Sequence, residues 1–132
     1  MLVEFLLEVF FIKIKIKGYL ENITENTKEF IDTFGINNKN KISYIIDNTK
    51  YKLDIFNDKI ILTRETEEFI HGMIFKLNQE TTTEYYMKKI NSSLSLKLLT
   101  TKLEINKLKI EINYKVLDND NEYIYLIEMS DK

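Results

Sequence analysis

The chain of 132 residues contains no cysteine, no proline, no tryptophan and no alanine, and it has one histidine, one arginine and three glycines. Each shortage closes a route. Without cysteine there is no disulfide framework, no thiol nucleophile and no thiolate metal ligand. With His71 as the lone histidine a multi-histidine metal centre is impossible, and no cofactor or metal is expected. So few glycines leave no phosphate-cradling loop. A formal charge of −2 gives no general attraction to nucleic acid or anionic lipid, so neither is expected as a partner. Absence of cysteine fits a reducing compartment, which points to a cytoplasmic location. The bias towards Asn, Lys and Ile has the look of an AT-rich coding sequence rather than a structural message.

Long apolar runs are also missing. The one candidate, residues 1–11, is broken by Glu4 and Glu8. It lacks the basic start, unbroken centre and small-residue cleavage site of a signal peptide. It is also shorter than the roughly 20 apolar residues that span a bilayer. Residues 1–11 therefore read as an apolar extension, a short helix or strand packed on the body or on a neighbouring chain. Residues 12–132 read as a single domain of a size that buries roughly two-thirds of its unfolded surface.

What is present is a period of two. Residues 107–116 alternate without error, with Leu108, Ile110, Ile112, Tyr114 and Val116 on one face and Lys and Glu or Asn on the other. Leu94, Leu96 and Leu98 alternate with polar residues just upstream, and Leu103 and Ile105 continue with opposite parity. The two stretches predict a long hairpin turning at Asn106-Lys107. The parity change predicts an extra residue near 99–101, a β-bulge that curls the sheet. Elsewhere Ile12, Ile14 and Ile16 alternate with Lys13, Lys15 and Lys17, and Gly18 suggests a bend or bulge. Polar turns at 21–26, 37–40, 47–49, 57–58, 78, 88–92 and 118–121 separate strands at 27–34, 42–46, 51–55, 60–64, 70–77, 81–87 and 123–129. Gly35 is expected to end the strand at 27–34. The total is nine or ten short antiparallel strands and no helical period after residue 11. Such a meander protects its edges by closing into an all-β, antiparallel up-and-down barrel.

The order of many weak motifs resembles the YwiB-like family of bacterial proteins. They are Ile42-Ser43-Tyr44, Ile61-Leu62-Thr63-Arg64, Phe75, Glu84-Tyr85, Leu94-Ser95-Leu96, Thr100-Thr101 and the run from Lys109 to Tyr114. The resemblance spans roughly residues 12–128 and implies a lipocalin-like (calycin) barrel with no established activity. Lys89-Ile90-Asn91-Ser92 stands where the family often has a glycine turn, and Ile45-Ile46-Asp47 where an acidic pair is expected.

Five residues stand out as candidate ligand contacts. His71 shares parity with Met73 and Phe75, so it either orients a ligand's polar group or sits near a rim against water or backbone. Arg64 shares parity with Ile60 and Leu62. It could grip a carboxylate in bidentate fashion, or close the barrel end by packing and carbonyl bonds. Tyr85 and Tyr114 face inward by the same parity. Their hydroxyls need partners, which could be a ligand, each other or Thr101. The acidic run at 118–122 begins like a calcium loop, but Tyr123 stands where glycine is needed and Met129 where a bidentate acid is needed. No catalytic set survives. The expectation is a non-enzymatic barrel holding a small, partly hydrophobic molecule. The rival is a solid-core interaction or scaffolding protein that forms a homo-oligomer through its apolar N-terminal arm.

Overall fold

A computed structural model describes residues 12–131, and every one of its regular elements is a strand. The strands are β1 (Ile12–Asn22), β2 (Thr27–Asn38), β3 (Lys41–Ile46), β4 (Thr49–Ile55) and β5 (Ile60–Glu65). They continue as β6 (Phe69–Phe75), β7 (Glu80–Met87), β8 (Ser92–Ile105), β9 (Lys109–Val116) and β10 (Asn121–Ser130). Each pairs antiparallel with its sequence neighbours, and β1 pairs with β10, so the ten strands close into an up-and-down barrel. The N-terminal extension proposed for residues 1–11 lies outside the described residues. Among those described, no helix is long and apolar enough to cross a membrane.

Two glycine readings change. Gly18 is neither bend nor bulge: β1 runs straight through it, paired on both sides, to Asn22. A Cβ there would lie 1.8 Å from the Leu126 carbonyl oxygen, so glycine permits close approach across the β1–β10 seam that closes the barrel. Nor does Gly35 end β2, which continues to Asn38. A Cβ there would meet Ile16 Cδ1 at 2.5 Å and the Ser43 carbonyl oxygen at 2.6 Å. No described glycine has positive φ. That role falls to Asn26, Asp47, Asn48, Asn78, Asn91 and Asp120, with Lys39 the exception. Asn and Asp tolerate the left-handed region because their short side chains bond the nearby backbone. The chain thus makes most of its turns with Asn and Asp, and two of its three glycines sit in tight spots within strands.

The parity change in β8 is a bulge, as its sequence requires. Thr100 opposes Tyr114 and Lys102 opposes Asn113, leaving Thr101 unpaired between them. The bulge returns Leu103 to the core side, where it packs against the buried cluster.

Alternation fills one end of the barrel. Ile14, Ile16, Ile42, Leu53, Ile60, Phe75, Ile110, Ile112, Ile127 and Met129 are buried there, near the starts of β1, β3, β5 and β9. The β6–β7 loop helps seal this end, since Asn78 N–H donates to the Thr100 carbonyl at 2.8 Å and Leu77 bridges to Thr100. At the other end the wall has a notch. β2 is laddered to β1 along nearly its whole length, but only Gly35–Asn38 pairs with β3. Beyond that, Thr33 Oγ1 reaches the Ile45 carbonyl at 3.4 Å, and residues 27–32 have no ladder pairing with β3.

Candidate functional site

The open end of the barrel encloses a cavity of about 580 Å³. Its apolar wall comes from residues such as Leu62, Met73, Leu96, Leu98 and Val116, and its mouth includes Glu29, Phe30, Ile46 and Asp47 beside the notch. Strand register lines up an arc of mostly polar inward side chains that runs from the buried Tyr44 onto this wall. Tyr44 stands opposite Tyr51, Tyr51 opposite Arg64, Arg64 opposite His71, His71 opposite Tyr85, and Tyr85 opposite Leu94. Six neighbouring strands, β3 to β8, thus each contribute one inward side chain to a single directly opposed row. Tyr114 and Tyr123, also opposed, add a second pair from β9 and β10.

Hydrogen bonds at the centre of the arc determine protonation. Arg64 Nη2 lies 2.8 Å from His71 Nδ1, and His71 Nε2 lies 2.7 Å from Thr83 Oγ1. Thr83 Oγ1 in turn donates to the Gly72 carbonyl at 3.0 Å. A carbonyl only accepts, so the threonine's single proton goes to Gly72 and its oxygen must accept from His71 Nε2–H. Arginine only donates, so Nδ1 must be the bare nitrogen. The relay therefore requires neutral His71 as the Nε2–H tautomer. Burial first and the Arg64 charge second lower its pKa to about 4, in keeping with that tautomer.

Thr83 reaches His71 because the β6–β7 ladder stops early. Backbone pairing covers Phe69–Gly72 against Glu84–Met87. Below it, hydroxyls substitute for ladder bonds, Thr83 to Gly72 and Thr81 to the Ile74 carbonyl.

Aromatic contacts stiffen the rest. Tyr44 and Tyr51 stack at 4.7 Å, Tyr114 and Tyr123 at 5.0 Å, and Tyr85 packs between Phe69 at 4.8 Å and His71 at 5.0 Å. The Tyr44 and Tyr125 hydroxyls hydrogen-bond each other at 2.6 Å. Burial raises both phenols and that of Tyr114, keeping them protonated, while the Arg64 charge pulls the other way on Tyr44 and Tyr114. Among the described residues the Tyr114 hydroxyl has no hydrogen-bond partner.

Of the five residues singled out from sequence, Arg64, His71, Tyr85 and Tyr114 line this one cavity. Thr101 does not join them. As the bulge residue it is exposed, and its hydroxyl donates to the Asn113 carbonyl at 3.2 Å. Thr100 takes the inward position, fully buried opposite Tyr114, with Oγ1 lacking a protein partner. Tyr85 and Tyr114 do not bond each other. Arg64 meets His71 rather than strand carbonyls, and His71 meets Arg64 and Thr83 rather than rim backbone. Sequence reasoning missed Thr83 as a partner and Tyr51, Tyr123 and Tyr125 as wall. Strand parity is the signal that could have turned them inward, but it cannot say who opposes whom. Among the described residues no three His, Asp or Glu side chains converge as a metal site.

No protein-family model and no curated protein sequence matches the chain. Among solved structures the fold is similar to that of the ywiB protein from Bacillus subtilis. The TM-score is 0.62 at 19% sequence identity, covering 93% of this chain and 92% of that one. That likeness is one of fold.

Proposed function

We propose that this chain is a non-enzymatic, lipocalin-like barrel of the YwiB-like group that binds a small, partly hydrophobic molecule in its open half. The observation carrying this reading is the cavity of about 580 Å³, apolar along most of its wall and crossed by one polar arc. Ligand sites have this make-up, mostly apolar with a few convergent polar groups, and fall in this size range. A sound ten-stranded barrel could instead have filled its interior with side chains, as the other end of this one does. That contrast weighs against a scaffolding role built on a solid core. The group name adds the order of motifs from Ile42 to Tyr114 and the similar fold, and it brings no activity with it. The absence of cysteine remains the argument for a cytoplasmic setting.

Native mass spectrometry of freshly purified protein tests the reading, together with fatty-acid and haem titrations. The expected result is a bound small mass or a saturable shift with one of these ligands. A bare mass and no saturable change with any of them would contradict it.

A further inference from the structure

We infer that the occupant carries a single carboxylate on an apolar body, and that Arg64 is its anchor. This rests on the binding reading above and specifies it. Arg64 is the chain's only arginine, it points into the cavity wall, and no carboxylate pairs with it among the described residues. A guanidinium has five N–H donors. One is used on His71 Nδ1, and the buried Nε–H has no partner among the described residues. A partly buried charge without a counter-charge is costly, and an anion brought from outside would relieve it through the guanidinium's remaining Nη–H donors.

The surroundings select which anion. His71 adds no second positive charge, because its place in the relay requires the neutral ring. Thr83 and Gly72 occupy the far side of that ring and hold it as an acceptor towards Arg64, so the guanidinium is turned by a neutral neighbour rather than neutralised. Tyr114 offers a neutral hydroxyl with no partner among the described residues. The wall therefore presents one positive charge, a planar fork of donors and a neutral donor. A planar monoanion such as a carboxylate matches that set in charge and shape. A phosphate dianion would bring a second charge with no cation to meet it, and Glu29 and Asp47 stand at the mouth. The remaining wall, including Leu62, Met73, Leu96 and Leu98, fits an apolar body.

Calorimetric titration of the full chain at pH 7.5 with decanoate, 1-decanol and decyl phosphate tests the inference. Decanoate should bind saturably, about tenfold or more tightly than the alcohol and more tightly than the phosphate. Arg64→Gln should remove that advantage while leaving decanol binding in place, which also certifies that the variant is folded. Arg64→Lys, which keeps charge but not the fork, should fall between. Alcohol binding equal to acid binding, tighter phosphate binding, or an Arg64→Gln variant that holds decanoate as well as the parent would overturn the carboxylate assignment. In each of those cases the barrel would still be a binding protein. If none of the three compounds binds, the inference is overturned, and the binding reading falls with it only if the native mass is bare and haem gives no saturable change.

Discussion

The two ends of this barrel are built from the same alternating strands, yet one is solid and the other hollow. At the closed end the inward positions carry isoleucine, leucine, one phenylalanine and one methionine, nearly all without solvent exposure. Branched aliphatics interdigitate and exclude even water. At the open end the inward positions carry Tyr51, Arg64, His71, Tyr85, Tyr114 and Tyr123, long or planar side chains that contact one another along the wall. Rings stacked along a wall leave the axis clear. The difference teaches that the cavity follows from residue shape at equivalent positions, with the strand scaffold held constant.

The comparison can be broken most severely by removing bulk from one end and then from the other. Phe75→Ala at the closed end should cost about 3–5 kcal/mol in urea unfolding. Leu96→Ala, beside the cavity and only half-buried, should cost under about 1 kcal/mol, because no new void opens where one already exists. Equal losses would mean that the open end is packed after all.

A similar contrast holds for glycine. Gly18→Ala should cost about 3 kcal/mol or more, since its Cβ would strike backbone of β10 at the seam. Gly72→Ala, with nothing within 4 Å of its Cβ, should change the thermal midpoint little and slightly upward.

Acid titration sharpens the comparison, because the open end alone holds a buried ionisable relay. His71 has a folded-state pKa of about 4 against an ordinary value of 6.5. The unfolded chain therefore binds more protons between those values. Stability should be intact above pH 6.5 and decline as pH falls towards 4. The loss is bounded at about 3 kcal/mol by the 1.36 kcal/mol per pKa unit, and solvent access to the cavity makes it smaller. The parent minus His71→Gln difference in urea midpoints between pH 7 and 4.5 isolates it, and a flat difference would remove the relay from the account. Within the same relay, Thr83→Val should cost about 1–2 kcal/mol, since it leaves the His71 N–H and the Gly72 carbonyl without their shared hydroxyl. It should also lower the protection of Gly72's neighbours from amide exchange.

Much of the fold was legible because one face of nearly every strand is buried. The β8–β9 hairpin, the bulge at Thr101 and the Asn and Asp turns all follow from parity and turn chemistry. Gly18 and Gly35 were not legible as strand residues. Their reason is an approach by Leu126 and by Ile16 and Ser43, far apart in sequence, and local pattern carries no trace of such neighbours. The site was half legible for a related reason. Parity turned Arg64, His71, Tyr85 and Tyr114 inward, but their alignment into one arc depends on the register of each hairpin, which a one-residue shift in any turn would alter. Thr83 meets His71 only because the β6–β7 ladder is interrupted, and nothing between Phe69 and Met87 announces that interruption.

The claim on which the rest depends is that the barrel is hollow at one end only. Methyl-resolved NMR of the full chain, titrated with decanoate, addresses it directly. Saturable shifts should concentrate at Leu62, Met73, Leu94, Leu96 and Leu98, while Ile14, Ile16, Ile112 and Ile127 hold still. Shifts spread evenly over both sets, or confined to the second, would contradict the account.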